Sequence, residues 1–152
     1  SQIIELTKML TDAEAHYRAV LIQPHIDRGY LPEAATALEK NTVILLDVRS
    51  RSEWAETGIA DGAWPVSMHE RGFEQRLFAA RDIAGVRPVA LICATGGRSA
   101  RLLFALKRAG YTGFIDVSEG MLGSNDGPGW IARGLPMTDI GTAMEALPQA
   151  LR

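Results

Sequence analysis

The sequence is poor in the residue types that build disulfides and metal centres. It has one cysteine, Cys93, and three histidines in 152 residues. A single cysteine cannot form an internal disulfide or a cysteine-rich zinc site, which excludes a disulfide-built scaffold. The histidines, His16, His25 and His69, are far apart in the sequence and show no ligand spacing. We therefore expect no metal site.

Excess charge and long apolar runs are also missing. The formal net charge is -2 and the arginines are spread along the chain, so we expect no nucleic-acid partner. No run approaches the roughly 18 to 20 apolar residues that a membrane span needs, so we expect no membrane partner. No signal peptide is visible. The chain begins with Ser1 rather than a methionine, which indicates that an upstream segment was removed and leaves the cellular compartment open.

The length and the hydrophobic share of 47% suit one folded domain with short extensions at both ends. We predict an N-terminal helical extension over residues 1–30, a domain over residues 31–138 and a C-terminal tail over residues 139–152. The tail contains a candidate short helix around Ala143–Leu147.

The N-terminal extension has a helical apolar pattern. Apolar residues recur at steps of three and four from Ile3 to Val20. A capping box of Thr11 and Glu14 would instead start a helix near Thr11. One long helix and two short ones therefore both remain open. The same spacing is a heptad pattern, although it is too short for a coiled-coil prediction. The helix either lies on its own domain or forms the seam of a homodimer.

Four short apolar runs predict strands that are buried on both faces. They are Val43–Leu46, Trp64–Ser67, Val89–Cys93 and Phe114–Val117. Helix-like stretches begin near Pro32 and cover about Ser52–Glu56, Gly72–Ala80 and Ser99–Ala109, with Gly110 as the stop of the last. Strands that alternate with helices predict an α/β fold with a parallel sheet covered on both faces.

The only cysteine lies at the carboxyl end of the third predicted strand, the edge where open parallel sheets bind ligands. Ala94, Thr95, Gly96 and Gly97 lead from it to the next helix, and the glycines permit a loop that turns its N–H groups inward. The helix N-terminus adds partial positive charge and Arg98 adds a full charge. All three effects favour a thiolate over a thiol. A small buried apolar cysteine is the alternative, but it needs neither the glycines nor the arginine.

Five stretches, taken in order, resemble the single-domain rhodanese-like sulfurtransferases. CATGGRS resembles their active-site loop Cys-x-x-Gly-x-Arg-Ser, which Cys93, Gly96, Arg98 and Ser99 match. The other four stretches resemble, in order, the family's strand with Asp-Val-Arg, its Gly-His-Ile-x-Gly-Ala segment, its Gly-Tyr strand entry and its closing Gly-Leu-Pro. They are VILLDVRSRSEW (43–54), GIADGAWPVS (58–67), LKRAGYTGFIDVSEGM (106–121) and GWIARGLP (129–136).

The resemblance implies a three-layer α/β/α fold with a mostly parallel five-stranded sheet. It also implies a sulfurtransferase that moves sulfane sulfur from thiosulfate or a persulfide donor to cyanide, a small thiol or a protein thiol. Cys93 would carry the sulfur as a persulfide, and no metal or organic cofactor is implied.

The resemblance also implies roles around Cys93. The N–H groups from Ala94 to Ser99, including those of Thr95, Gly96 and Gly97, would stabilise the persulfide anion. Arg98 would add charge or hold the loop, and Ser99 would cap the helix. Asp47 and Arg49 would support the loop as a structural pair.

The sequence departs from the family pattern in three places. The histidine of Gly-His-Ile is absent, because Ile59 follows Gly58 directly. Ala94 and Thr95 stand where the thiosulfate-using two-domain members have basic residues, so we expect weak thiosulfate binding. The stretch LGSNDGPG (122–129) is longer than in the family and is either a solvated loop, a lid or a partner contact.

Two other functions are weighed against sulfur transfer. Cysteine-based phosphatases use a Cys-x5-Arg loop, whereas four residues separate Cys93 from Arg98, which disfavours a phosphatase or an arsenate reductase. A non-catalytic scaffold module on the same fold is the stronger alternative, although such members typically lose the cysteine.

Overall fold

The computed structural model describes residues 31–152. The predicted N-terminal helix, its cap at Thr11 and the homodimer seam fall on residues 1–30 and lie outside the described residues. They therefore stay predictions.

The described chain alternates strands with helices, as the apolar runs predict. The helices are α1 (Leu31–Glu39), α2 (Arg51–Thr57), α3 (Phe73–Ala84), α4 (Gly97–Arg108) and α5 (Ile140–Glu145), followed by a 3-10 turn at Gln149–Leu151. The strands are β1 (Ile44–Asp47), β2 (Ile59–Ala60), β3 (Trp64–Pro65), β4 (Val89–Ile92), β5 (Phe114–Asp116) and β6 (Met137–Thr138).

The main sheet is parallel throughout and has the strand order β3-β1-β4-β5. Its four strands are those that the apolar runs predict. The five-stranded count implied by the family resemblance is corrected, because the described residues place four strands in this sheet. β2 and β6 form a separate antiparallel pair instead. Each of these two strands has only two residues, so they form a short ladder of their own.

Helices cover both faces of the main sheet, which confirms the three-layer α/β/α architecture. Alternation along a strand sends successive side chains to opposite faces. On β4, Leu91 and then Cys93 face the side covered by α3 and α4, whereas Ala90 and Ile92 face the side covered by α1 and α2. Both β1 and β4 are buried along their whole length, as expected of central strands in a parallel sheet.

Local sequence signals set the ends of the two helices nearest Cys93. α2 starts with a capping box in which the Ser50 hydroxyl accepts from the Glu53 N–H and the Glu53 carboxylate accepts from the Ser50 N–H. α4 stops at Gly110, whose φ of 89° is the left-handed conformation expected after a helix end. The start of α4 differs from the prediction, because the N-cap is Gly96 and the helix begins at Gly97.

The C-terminal tail packs against the domain. α5 buries Ala143, and the chain beyond it buries Leu147 and Leu151 in the core on the α3 side. No helix within residues 31–152 is long and apolar enough to cross a membrane.

Candidate active site

Cys93 follows directly on β4, at the carboxyl edge of the sheet. The segment after β5 holds the backbone on either side of it. The Met121 N–H donates to the Cys93 carbonyl at 2.8 Å, and the Leu122 N–H donates to the Ala94 carbonyl at 2.8 Å. Residues 118–122 therefore position the loop that carries the cysteine.

Two glycines allow these segments to approach closely. Gly96 has a φ of 87° and Gly120 a φ of 74°, both in the left-handed region. A Cβ on Gly96 would collide with the Ser118 carbonyl, and a Cβ on Gly120 would collide with the Ala94 carbonyl. Gly97 is different, because a Cβ there would meet nothing within 4 Å. Of the two adjacent glycines in the loop, the packing therefore requires only the first.

The loop directs three polar groups at the Cys93 sulfur. The Gly96 N–H donates to Sγ at 3.2 Å and the Ser99 N–H donates to it at 3.4 Å. The Ser99 hydroxyl lies 3.3 Å from the same sulfur. Backbone N–H groups at a helix start stabilise negative charge, so this arrangement suits a thiolate or a persulfide anion.

Ser99 is not the helix cap that the sequence predicts. It lies inside the first turn of α4, is fully buried, and its hydroxyl faces the sulfur and the Gly96 carbonyl. The physical reason is that Gly96, in the left-handed conformation, starts the helix early enough to bring residue 99 over Cys93. Ala94 and Gly96 are buried as well, whereas Thr95 and Gly97 are exposed.

Cys93 has no exposed surface. A reagent therefore reaches Sγ only when the loop opens or when a side chain at its rim moves.

Arg98 does not offer a free positive charge to the loop. Its guanidinium forms a two-pronged ion pair with Glu53, with distances of 2.7 Å from Nη1 to Oε1 and 2.8 Å from Nη2 to Oε2. The same Nη1 lies 2.9 Å from Nε2 of His69. The hydrogen bond from Arg98 lowers the pKa of Glu53 from 4.5 to about 2, and the bond to Glu53 raises the pKa of Arg98. The pair joins the first turn of α4 to the first turn of α2.

Asp47 and Arg49 form a buried ion pair at the end of β1. Arg49 donates from Nη2 to Asp47 Oδ2 at 2.8 Å, and neither side chain has exposed surface. Arg49 also donates to the Thr57 hydroxyl and to the Gly58 carbonyl, both at 3.0 Å. These contacts tie the end of β1 to the end of α2 and favour the predicted supporting role, which stays a prediction.

The segment 122–129 is a tethered surface turn. The Ser124 hydroxyl donates to the Ser118 carbonyl at 2.8 Å, and the Glu119 carboxylate accepts from the Gly129 N–H at 3.0 Å. Arg133 pairs with Glu119 at 2.8 Å. Leu122, Asn125, Asp126 and Pro128 are exposed. Of the three alternatives left open by the sequence, these contacts favour the solvated loop.

The structure brings together the predicted residues of the Cys93 loop and adds two that the sequence analysis missed. Glu53 holds Arg98, and His69 contacts it. The Ser-x-x-Glu pattern of Ser50 and Glu53 predicts a helix start, but it does not predict that Glu53 pairs with Arg98. The hydrogen bonds to Sγ come from Gly96 and Ser99, not from Asp47 or Arg49. Among residues 31–152, no group of three or more histidine, cysteine, aspartate or glutamate side chains is arranged to hold a metal ion.

The two glycines of the loop give a matched pair of variants. We expect Gly96→Ala to lower the free energy of unfolding by about 1–3 kcal/mol, because the left-handed backbone disfavours a side chain and the Ser118 carbonyl blocks it. Gly97→Ala should be neutral or stabilising, by roughly 0.4–1 kcal/mol, because it lies in open space at a helix start. Urea unfolding of both variants measures the difference, and equal effects would contradict the close approach.

The Glu53–Arg98 pair predicts a specific acid sensitivity. Because the pKa of Glu53 is about 2 in the folded chain and 4.5 ordinarily, the pair adds stability that is fully present above pH 4.5. That stability is lost as the pH falls towards 2. The advantage of the wild type over Glu53→Gln in unfolding free energy should therefore shrink across this window. Glu70→Gln, which breaks the more exposed pair with Arg51, is the control. A constant difference for Glu53→Gln would refute the assignment.

Comparisons with known proteins agree with this geometry. A model of the rhodanese-like domain family matches residues 31–124. The polysulfide-sulfur transferase homodimer of Wolinella succinogenes superimposes with a TM-score of 0.51 at 25% identity, covering 86% of this chain and 93% of that one. A protein of M. tuberculosis gives a TM-score of 0.50 at 28% identity, covering 71% of this chain and 92% of that one.

A more distant structure supports the fold alone. The rhodanese-like domain of an Anabaena sp. protein gives a TM-score of 0.50 at 20% identity, covering 77% of this chain and 80% of that one. No curated protein sequence matches the chain at a significant level. The family match spans more than half of the chain and includes the whole Cys93 loop, so the chain belongs to the rhodanese-like domain family.

Proposed function

We propose that the chain is a sulfurtransferase that moves sulfane sulfur through a persulfide on Cys93. One observation carries the proposal: two backbone N–H groups, of Gly96 and Ser99, converge on the Cys93 sulfur at the carboxyl edge of a parallel sheet. A sulfur atom that served only to fill the core would need no such donors. The polysulfide-sulfur transferase of W. succinogenes supports the reaction class by its likeness. That protein is a homodimer, and a homodimer is likewise a proposal for this chain.

The transfer takes two displacements at sulfur. The Cys93 thiolate attacks the sulfane sulfur of a donor; the new Sγ–S bond forms as the bond from that sulfur to the donor breaks. The donor leaves with the electron pair, as sulfite or as a thiolate. An acceptor, which is cyanide, a small thiol or a protein thiol, then attacks the outer sulfur. Cys93 departs as a thiolate, so the cycle closes with no net gain or loss of electrons by the protein.

The N–H groups of Gly96 and Ser99 would stabilise the negatively charged forms of the Cys93 sulfur in this cycle. They donate to Sγ, and we expect the same loop to hold the persulfide when the outer sulfur is added. Hydrogen bonds to a charged group are about twice as strong as neutral ones, so the loop favours the thiolate both as attacking and as leaving group.

The ion pair of Arg98 argues for a donor of low charge. Thiosulfate is a dianion, and the guanidinium of Arg98, the one cation of the loop sequence, is already occupied by the Glu53 carboxylate at 2.7 Å and 2.8 Å. A small-molecule or protein persulfide needs no free cation. We therefore infer that a persulfide is the preferred donor.

The persulfide is tested by intact mass spectrometry. Brief exposure to a persulfide donor should add the mass of one sulfur atom to the wild type, and cyanide or a reductant should remove it. Cys93→Ser should gain nothing while unfolding at an unchanged temperature. Because the chain has one cysteine, the adduct can have only one thiol as its site. The absence of an adduct with both thiosulfate and a persulfide donor would refute sulfur transfer and favour a binding module.

The donor preference is tested with Glu53→Gln. Glutamine keeps the capping box of α2 but releases the charge of Arg98. We expect the KM for thiosulfate to fall by about tenfold in steady-state assays, since one favourable charge contact contributes on the order of 1.4 kcal/mol. The KM for a persulfide donor, which carries less charge than the thiosulfate dianion, should change less. Glu70→Gln serves as the control, and equal changes for both donors would contradict the inference.

A further inference from the structure

The helix that follows the Cys93 loop carries positive charge that the described chain does not neutralise. The basic residues of α4 are Arg98, Arg101, Lys107 and Arg108, and the helix has no acidic residue, although the net charge of the chain is -2. Arg98 is paired with Glu53. The other three are exposed, and within residues 31–152 their side chains form no hydrogen bond or ion pair. Three cations of one helix are therefore available to a partner.

Two of these cations lie on one stripe of the helix with an aromatic residue. Arg101, Phe104 and Arg108 follow Gly97 at steps of four, three and four, which places all four residues on one side of a helix. All four are exposed. The buried residues of α4 lie on the opposite side. We call Gly97, Arg101, Phe104 and Arg108 the outer stripe of α4.

The centre of the outer stripe is apolar. Phe104 is 65% exposed, the highest value among the exposed large hydrophobic residues of 31–152. A single exposed apolar side chain is ordinary on a protein surface. Phe104 differs because it lies between two unpaired arginines, and aromatic residues and arginines are the types that anchor protein interfaces. The composition of the stripe therefore favours a protein partner.

The outer stripe begins at the reacting sulfur. Gly97 is the first residue of α4 and directly follows Gly96, whose N–H donates to the Cys93 sulfur. A rise of about 1.5 Å per residue places Phe104 about 10 Å and Arg108 roughly 16 Å farther along the helix. A small thiol is too short to contact both the loop and Phe104. Only a macromolecule can bind the stripe and reach the sulfur at the same time.

We propose that the outer stripe of α4 docks an acidic protein whose cysteine takes the sulfur from Cys93. Unpaired cations attract an acidic surface and repel a basic one, which selects the partner by charge. The partner's thiolate attacks the outer sulfur of the Cys93 persulfide. The Sγ–S bond breaks, its electron pair stays on Sγ, and the partner leaves as the persulfide. The inference deepens the proposed function, because it names the class of acceptor for the same site.

The first test measures sulfur transfer from the loaded chain to two thiols. One is a synthetic peptide with a single cysteine followed by aspartates and glutamates, and the other is the small uncharged thiol β-mercaptoethanol. Arg101→Glu should lower the rate constant with the peptide about tenfold at low salt, because it replaces an attraction with a repulsion. The rate with β-mercaptoethanol should stay unchanged. High salt should remove the effect on the peptide.

Lys40→Glu is the matched control, since it makes the same change of net charge at an exposed site before β1. It should change neither rate. Equal slowing of the peptide reaction by Arg101→Glu and Lys40→Glu would reduce the effect to net charge. Equal slowing of both thiols by Arg101→Glu would place the effect at Cys93. Either result would overturn the proposal.

The apolar anchor is tested with Phe104→Ala. We expect the rate constant with an acidic peptide that also contains a leucine to fall about fivefold, as for an anchor residue of an interface. This loss should persist in high salt, because apolar burial is not screened. Val86→Ala, at a residue that is 53% exposed before β4, is the control. An effect of Phe104→Ala no larger than that of Val86→Ala would refute the anchor.

A measurement on the wild type needs neither a variant nor sulfur transfer. The leucine-containing peptide, with serine in place of cysteine, is added to the full chain and the amide resonances are followed by NMR. The shifts should concentrate on the outer stripe of α4. Shifts elsewhere, or none, would overturn the proposal. A chain that forms the persulfide but shows no such shifts refutes docking alone, whereas a chain that binds the peptide but forms no persulfide refutes the proposed function.

Other occupants of the stripe give different results. If a second copy covered it, Arg101→Glu would lower the mass of the wild-type assembly in sedimentation experiments. If a lipid surface covered it, the wild type would bind phosphatidylserine vesicles and Arg101→Glu would not. If residues 1–30 covered it, the peptide would cause no shifts on α4. Each of these outcomes would overturn the proposal.

Discussion

The site depends on the close contact between two loops at the carboxyl edge of the sheet. The N–H groups of Met121 and Leu122 bind the carbonyls of Cys93 and Ala94. Gly96 and Gly120 leave no room for a side chain at that contact. Because the contact holds the Cys93 backbone from one side, the turn that follows can direct the Gly96 and Ser99 N–H groups at the sulfur.

The environment of the sulfur is set by neutral dipoles more than by free charge. Arg98 is the only cation of the loop sequence, yet the structure commits it to Glu53 and, through His69, to the segment after β3. It therefore acts mainly as a clamp between α4 and α2. A second clamp, Arg49 on Asp47, joins β1 to the end of α2. Two ion pairs thus link the start of α4, through α2, to the end of β1, and backbone N–H groups are the donors directed at the sulfur.

Polar residues at the strand ends divide into satisfied and unsatisfied groups. Asp47 is fully paired, since its two oxygens accept several bonds from Arg49. Asp116, at the corresponding end of β5, keeps one buried oxygen without a partner. Unsatisfied buried groups concentrate where a protein changes its charge or its partners, because a complete network has no capacity to respond. Of these two aspartates, Asp116 is the incompletely bonded one.

The sequence by itself determined the α/β class, the four strands of the main sheet, the helices between them and the position of Cys93 after a buried strand. Local rules suffice there, because apolar periodicity, capping boxes and glycine stops act over a few neighbouring residues. It also determined the composition of the loop from Ala94 to Ser99. Only the tertiary structure decided the number of strands in the sheet, the ion pair of Arg98 with Glu53 and the approach of Ser99 to the sulfur. These contacts join residues far apart in the chain, and their geometry follows from strand register and helix packing, which no local pattern encodes.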